Sequence, residues 1–142
     1  GAESDAIWSV DKNGMEKSFC CINATARDFA RLGQMVLQHG KWDSVQVIDS
    51  NYIKAMTTPA SYLKDEKGNT CDWYGYQTWM INYKGHQIPY FRGILGQFIF
   101  VVPDENMVIV RLGKKIKRDP DDPKYQNDDI RNYIEAGLQV IK

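Results

Sequence analysis

The sequence predicts an α+β fold in which helices and strands occupy separate stretches of the chain. Apolar residues recur at helical spacing in the first half, aromatic and apolar runs of extended character follow over residues 73–112, and helical spacing returns at the end. Because helices and strands do not alternate, an antiparallel sheet is favoured over a parallel βαβ sheet. We expect two helices, then about three antiparallel strands, then one helix.

Length and charge limit the classes of protein to consider. The 142 residues carry 18 basic and 18 acidic side chains, and this zero net charge argues against a general nucleic-acid binder. We expect one unit over 1–142, with a helical part at 1–72, antiparallel strands at 73–113, and a connector and terminal helix at 114–142. The chain begins Gly1-Ala2-Glu3 rather than with Met, so we expect either an excised piece of a longer protein or the remnant of a tag at its start.

The first two helices are predicted from their end signals. Thr25 and Asp28 form a T-x-x-D pattern, in which the threonine hydroxyl accepts a hydrogen bond from a free N–H of the first turn. Gly40 ends this helix, and a second, shorter helix is expected from about Ser50 to the stretch Thr57-Thr58-Pro59. One face of the first helix carries the apolar residues Phe29, Leu32, Val36 and Leu37.

Three runs predict the strands. Residues 73–83 are rich in aromatic residues and threonine, and a turn at residues 84–87 follows them. Residues 97–102 and 107–112 are nearly unbroken apolar runs, which suit strands that are covered on both faces. The four residues between these runs, Pro103-Asp104-Glu105-Asn106, are typical of a hairpin loop.

A charged connector over residues 114–129 precedes the last helix. The connector opens with a basic run at 114–118 and then turns acidic, which favours a solvated loop over an anion-binding surface. Asp128 is the predicted N-cap, and Asp129 suits the positive end of the helix. The face that we expect to pack on the sheet carries Ile130, Tyr133, Ile134, Leu138 and Ile141.

The cysteines and histidines do not form a metal-ligand pattern. Cys20 and Cys21 are adjacent and Cys71 is distant, so the C-x-x-C spacing of structural zinc sites does not occur. We expect all three cysteines to be small buried residues, and a disulfide from Cys71 to one of the other two is the alternative for an exported protein. His39 is expected at a helix end and His86 in a turn, and neither is assigned a catalytic role.

Two S-x-x-K matches are candidates for a serine nucleophile with a lysine base: Ser9 with Lys12, and Ser61 with Lys64. That chemistry needs the pair at a helix start, where the amine can take the hydroxyl proton. Ser9 precedes an Asn-Gly turn and Ser61 lies in a polar loop, so we interpret both matches as chance. The Y-x-N match at Tyr125-Gln126-Asn127 lies in the connector and receives the same interpretation.

The stretch from Phe91 to Gln97 is the remaining candidate site. Gly93 and Gly96 precede an apolar run, and glycines at the start of a strand allow a ligand or another backbone to approach closely. On spacing alone, a bulge or a sharp entry into the strand is favoured over a ligand site.

Four segments, in order, resemble serine hydrolases related to class C β-lactamases. Residues 23–33 resemble the family's T-x-x-D-x-A-R-x-G helix, and residues 40–59 resemble its stretch from G-x-W to M-x-x-P. Tyr74-Gly75-Tyr76-Gln77-Thr78-Trp79 is similar to its Y-G-Y-x-x-W strand, and residues 92–113 resemble its last strands. The resemblance covers about residues 5–142 and implies the C-terminal portion of a β-lactamase/transpeptidase-like fold.

The resemblance implies acyl transfer through an acyl-serine, with no metal or cofactor. In the family, the S-x-x-K helix and the Y-x-N segment lie upstream of this portion. The nucleophilic Ser, the Lys and the Tyr are therefore expected outside this chain, which we expect to be inactive alone. The resemblance also implies that two leading strands and the N-terminal helix are absent.

The family's third motif, K-T-G or H-x-G, maps onto Phe91-Arg92-Gly93. Arginine in the middle position resembles the amide- and ester-hydrolase branches more than true β-lactamases. By position, the Ile94 N–H is an oxyanion-hole donor and Gly93 gives the substrate room, with Gly96 completing the candidate set. Arg92 either binds a substrate carboxylate through its fork or pairs structurally.

Further expectations follow from the same resemblance. The partner is the missing N-terminal part of the protein, the substrate is a small-molecule amide or ester, and the location is periplasmic or otherwise exported. If two strands are missing, an unpaired sheet edge and uncovered apolar surface predict self-association. The alternative is a self-standing binding or structural module that uses the same strands without chemistry.

Overall fold

The computed structural model describes residues 2–115, 126 and 128–141 of the chain. A four-stranded antiparallel sheet forms the centre, with helices on both faces, and the predicted α+β class is confirmed. None of the helices in the described ranges combines the length and the apolar content that crossing a bilayer requires. The three helices are α1 (Ala26–Leu37), α2 (Ser50–Met56) and α3 (Asp128–Val140).

Local capping explains where the helices begin. The Thr25 hydroxyl accepts a hydrogen bond from the Asp28 N–H at 3.1 Å, as the T-x-x-D pattern predicts. At α2 the carboxylate of Asp49 accepts from two backbone N–H groups of the first turn. At α3 the prediction was one residue out, because Asp128 belongs to the first helical turn instead of preceding it.

Within the described residues, eight strands form three antiparallel sheets. The first two sheets are hairpins of two-residue strands, and the third is the main sheet, in which the strands are neighbours in sequence order. The small pairs are β1 (Ile7–Trp8) with β2 (Ile22–Asn23) and β3 (Lys41–Trp42) with β4 (Val45–Gln46). The main sheet consists of β5 (Trp79–Tyr83), β6 (His86–Gly93), β7 (Gln97–Val102) and β8 (Met107–Arg111).

The main sheet has one more strand than the sequence predicted. The strand expected over 73–83 begins only at Trp79, and the expected turn at 84–87 consists of Lys84 and Gly85 alone. Both have positive φ (50° and 89°), which is the two-residue hairpin turn whose twist matches that of the strands. The following residues therefore pair at once as β6.

Pro89 is one reason why β6 was not predicted. Proline lacks the N–H that a central strand needs and argues against a strand in a sequence. Here Pro89 pairs with Met80 of β5, while the register between β6 and β7 begins one residue later at Tyr90. The missing N–H therefore does not interrupt the ladder to β7.

One face of the main sheet packs against α3. Gly137 lets the helix approach β8 closely, because an added Cβ would lie 2.7 Å from the Ile109 Cγ1. At the β5–β6 turn, Tyr83 and Lys84 donate hydrogen bonds to Glu135 of α3 at 3.1 and 2.6 Å, and these bonds lower the pKa of that carboxyl. The buried cluster of this face comprises Ile81, Ile88, Tyr90, Phe98, Phe100, Val102, Ile130, Ile134 and Leu138.

The opposite face packs against α1 and α2. Gly33 brings α1 close to the sheet, since an added Cβ would lie 2.5 Å from Val108 Cγ1 and 2.8 Å from Ile99 Cγ2. Leu32, predicted to share the packed face of α1, is 43% exposed. The buried residues of this face are Val36, Ile53 and Val101, with Leu37, Ile48, Met56 and Phe91 packed against them.

The cysteines differ from the prediction. Cys20 and Cys21 are joined by a disulfide, and Cys21 is exposed, so the expectation of small buried residues is wrong for this pair. Cys21 has a left-handed backbone (φ 74°), which keeps the pair at the surface beside β2. Cys71 is buried and free, as a small core residue would be, and the alternative disulfide from Cys71 does not form.

Candidate active site

The turn between β6 and β7 carries the predicted oxyanion residues. β6 ends at Gly93, which pairs with Gln97 at the start of β7, and three residues connect them. Leu95 and Gly96 have positive φ (64° and 84°), so the chain reverses tightly. Ile94 is 76% exposed, and the turn and loop hydrogen bonds between backbone groups of the described residues do not use its N–H. This exposed position makes the Ile94 N–H the candidate donor of the turn.

Arg111 of β8 holds this turn from the neighbouring edge of the sheet. Its Nη1 donates hydrogen bonds to the carbonyl oxygens of Leu95 at 3.2 Å and Gly96 at 2.5 Å. Its guanidinium carbon lies 5.0 Å from the centre of the Tyr133 ring in α3, a cation–π contact. Arg111 was not predicted from the sequence, because these contacts join residues that are 15 and 16 positions apart in the chain.

Gly96 is required by this arrangement. An added Cβ would overlap the Arg111 guanidinium and lie 2.9 Å from the Lys115 carbonyl oxygen. The sequence suggested Gly96 as a residue that lets a ligand approach. The structure shows another reason for glycine at this position, which is the close packing of Arg111.

The Gln97 side chain forms two further hydrogen bonds next to the turn, both to the backbone of Gly113. Its Nε2 donates to the Gly113 carbonyl oxygen at 2.7 Å, and its Oε1 accepts from the Gly113 N–H at 3.4 Å. Both ends of the amide thus connect the first residue of β7 to the segment that follows β8. The turn is held on a rigid strand end, as positioned donors for developing charge require.

The side-chain positions of Arg92 and Gly93 point to opposite faces of the sheet. Side chains alternate along a strand, and Arg92 pairs with Phe98, whose side chain belongs to the α3-side cluster. The Arg92 guanidinium carbon lies 5.2 Å from the centre of the Trp79 ring on β5. Of the two roles predicted for Arg92, this stacking favours the structural one.

The two S-x-x-K matches do not lie at helix starts. Ser9 is exposed and lies just after β1, where its N–H donates to the Cys21 carbonyl oxygen at 3.1 Å. Ser61 is exposed in a turn, and Lys64 donates from Nζ to the Thr70 hydroxyl at 2.6 Å. Tyr125 and Asn127 of the Y-x-N match lie outside the described residues. The last three residues of the basic run at 114–118 also lie outside them.

Neither histidine adjoins the β6–β7 turn. His39 is exposed just beyond the end of α1. His86 begins β6, at the end opposite Gly93, and its Nδ1 lies 2.7 Å from the Asp104 carboxylate. Among residues 2–115, 126 and 128–141, His, Cys, Asp and Glu side chains do not gather in threes that could hold a metal ion.

The T-x-x-D segment anchors the N-terminal stretch on α1. Asp28 is buried, and its carboxylate accepts hydrogen bonds from the Glu3 N–H (2.7 Å), the Thr25 hydroxyl (2.7 Å) and the Arg31 guanidinium (2.8 Å). The bond from the Glu3 backbone is the largest cause that lowers the pKa of Asp28. Arg31 also pairs with the Glu3 carboxylate at 2.7 Å. This network has a structural role and does not adjoin the candidate turn.

Two surface cavities lie away from the β6–β7 turn. One, of about 320 Å³, has charged walls between the β5–β6 turn and α3. The other, of about 310 Å³, is an apolar groove on the outer side of α1. We call the second the α1 groove, and its lining comprises Ala2, Asp28, Arg31, Leu32, Met35, Trp42 and Val47.

Comparison with known proteins supports the fold. No protein-family model matches the sequence. Among solved structures, the chain is similar to a protein of Bacillus anthracis named "Putative 6-aminohexanoate-dimer hydrolase", with a TM-score of 0.73 and 25% sequence identity. The match covers 99% of this chain and 34% of that chain, so the chain spans about a third of the length of that protein. This similarity supports the β-lactamase/transpeptidase-like superfamily for the fold of this chain.

Proposed function

We propose that this chain is the C-terminal part of a β-lactamase-like serine hydrolase that transfers acyl groups through an acyl-serine. The nucleophilic serine, its lysine and a tyrosine would come from upstream sequence, and the chain alone would be inactive. The similarity to a hydrolase about three times as long supports this proposal. The surface positions of Ser9 and Ser61, away from helix starts, are consistent with it.

The observation that carries the proposal is the β6–β7 turn. When a serine hydroxyl attacks a carbonyl carbon, negative charge develops on the carbonyl oxygen. A backbone N–H that is fixed beforehand stabilises that oxygen without reorganising. We propose the Ile94 N–H for this role, because Arg111 and Gln97 hold the turn on both sides. Gly93 leaves the strand end without a side chain beside it.

The proposed substrates are small amides or esters. The name of the similar protein refers to a dimer of 6-aminohexanoate. A dimer formed between the amine and the carboxylate of an amino acid contains an amide, which is one of the two substrate classes that we propose for this chain. The stacking of Arg92 on Trp79 turns its guanidinium away from the Gly93 face. We therefore propose that Arg92 stiffens β6 and that recognition of a substrate carboxylate, if the substrate has one, falls to another group.

The proposed partner is the N-terminal part of the same protein. Within the described residues, β8 pairs only with β7, so its other edge is open to a further strand. Apolar side chains also lie exposed on α1 and on and just after the β3–β4 hairpin. They include Leu32, Val45 and Val47. Without its partner the chain would self-associate through these surfaces, and a monomer at high concentration in light scattering would contradict this.

Export is the proposed location. Disulfides persist in oxidising compartments and are rare where thiols are kept reduced. The disulfide between Cys20 and Cys21 is consistent with a periplasmic or otherwise exported protein.

The first test is intact-mass spectrometry of this chain after incubation with a fluorophosphonate and with a penicillin. We expect no covalent adduct. A stoichiometric adduct on Ser9 or Ser61 would show that the chain has its own nucleophile. A chain without an adduct and without an upstream S-x-x-K helix in its gene would instead favour the binding or structural module.

The second test uses the protein with its upstream sequence and removes the proposed oxyanion donor. Ile94→Pro deletes the N–H, whereas Ile94→Ala keeps it and serves as the matched control. Loss of one such donor typically lowers kcat by about 100- to 1000-fold. We expect that loss for the proline variant with little change for the alanine variant. Equal activities of the two would remove Ile94 from the site.

A further inference from the structure

The bond between Cys20 and Cys21 joins adjacent residues, with Cα atoms 3.7 Å apart. A disulfide stabilises a fold mainly by closing a loop in the unfolded chain, and its effect grows with the length of that loop. A bond between neighbours closes the shortest loop that a chain allows. This disulfide therefore contributes little to global stability, and stabilising the fold does not explain its presence.

The pair is accessible to reagents in solution. Cys21 is exposed and Cys20 is half-buried, and the preceding residue, Phe19, is 84% exposed. Exposed disulfides are the ones that exchange with external thiols, whereas buried ones resist reduction. Cys71 supplies the contrast within the same chain, since it is buried in the fold with only 5% of its surface exposed.

Hydrogen bonds hold the backbone of the pair independently of the disulfide. The Trp8 indole Nε1 donates to the Cys20 carbonyl oxygen at 3.0 Å, and the Ser9 N–H donates to the Cys21 carbonyl oxygen at 3.1 Å. The Cys20 N–H in turn donates to the Lys17 carbonyl oxygen at 3.0 Å. These bonds do not involve the sulfur atoms, and one peptide bond links the two residues, so the two thiols stay close together when the disulfide opens.

Two neighbouring thiolates are suited to one soft atom. Thiolates are soft ligands and prefer soft, thiophilic centres. Because one peptide bond separates the residues, the second sulfur binds at a high effective concentration once the first is attached. Oxidation closes the same pair and removes both ligands together.

We propose that Cys20 and Cys21 form a redox-gated dithiol site, which a dithiol reductant opens and which then binds one trivalent arsenical through both sulfurs. A reductant thiolate attacks the exposed Cys21 sulfur, the S–S bond breaks, and its electron pair leaves on the Cys20 sulfur. The second reductant thiolate displaces Cys21, so the reductant becomes a disulfide and both protein sulfurs take up protons. An arsenoxide then forms two As–S bonds and releases its oxygen as water with the two thiol protons.

The test applies graded mixtures of reduced and oxidised dithiothreitol to the folded chain, followed by iodoacetamide and peptide mapping. We expect Cys20 and Cys21 to be alkylated together, while Cys71 stays unlabelled. Phenylarsine oxide should then bind once per reduced chain and protect both residues from alkylation. Returning the sample to oxidised dithiothreitol before the arsenical is added should abolish the binding.

Matched serine variants decide whether both sulfurs act. Cys20→Ser and Cys21→Ser should each weaken arsenical binding about 100-fold or more, because a single thiol loses the chelate. Cys71→Ala should bind like the unmodified chain, and if that variant does not fold, the unlabelled Cys71 of the unmodified chain gives the same answer. Labelling of Cys71 in the same transition would overturn the proposal, as would alkylation without reductant or binding that survives Cys20→Ser.

Discussion

Replacing Arg111 with methionine tests whether its guanidinium holds the β6–β7 turn. Methionine keeps an unbranched apolar stem that can lie against Tyr133, but it removes every N–H donor. The variant therefore deletes the bonds to the Leu95 and Gly96 carbonyl oxygens and leaves most of the packing in place.

The magnitude follows from the surroundings of the two carbonyl groups. Leu95 is 48% exposed, so water replaces the lost donor there at little cost. Gly96 is buried, and a buried carbonyl without a donor costs about 1–3 kcal/mol. Loss of the cation–π contact with Tyr133 adds about 0.5–1 kcal/mol. We expect the free energy of unfolding to fall by about 1.5–4 kcal/mol.

The assay is urea unfolding followed by tryptophan fluorescence, together with amide hydrogen exchange at residues 94–97. Arg27→Met is the matched control, because the Arg27 side chain is 81% exposed and its removal should change stability by no more than about 0.5 kcal/mol. Exchange at the turn should accelerate in the Arg111 variant alone. If both variants unfold at the same urea concentration and exchange at the turn is unchanged, Arg111 does not hold it.

Four further substitutions test the packing, the N-cap of α1 and the pH dependence of stability. Gly33→Ala should lower the free energy of unfolding by about 1 kcal/mol net, because overpacking against Val108 and Ile99 costs more than the roughly 1 kcal/mol gained in helix propensity. Gly137→Ala would press on Ile109 about as closely and should have a similar effect, and urea unfolding compares the two variants. Thr25→Ala should cost about 1 kcal/mol in the same assay through loss of the N-cap bond. The pKa of Asp28 is lowered from its usual 3.8, so the ionised carboxylate contributes its full stabilisation above pH 3.8 and loses it as the pH falls through the lowered pKa. Asp28→Asn should therefore flatten the acid limb of a plot of stability against pH. An unchanged acid limb would contradict the shift.

Short-range signals in the sequence were sufficient for α1, α2 and the last two strands. A cap such as Thr25 acts within one turn, so three neighbouring residues predict where the helix begins. β6 was missed for the opposite reason. Its turn is only two residues long and its proline is tolerated because of where the ladder to β7 begins, which only the register reveals.

The candidate site was predictable in part for the same physical reason. Gly93, Ile94 and Gly96 lie close together in the sequence and so form a recognisable motif, and the structure places them at the β6–β7 turn. Arg111 comes from another strand, and the side of the sheet that Arg92 faces depends on strand register. The Cys20–Cys21 bond occurs together with a left-handed backbone at Cys21, which composition and spacing do not predict for a residue other than glycine.

The position of α3 in the chain has a consequence for synthesis. The sheet face that α3 covers is complete once Val102 and the residues of β8 have been made, yet its cover consists of residues 128–140. Until those residues leave the ribosome, side chains such as Tyr90, Phe98 and Phe100 remain open to water and to other nascent chains. Folding of this face therefore waits for translation, and chaperones that bind apolar segments have their main opportunity in that interval.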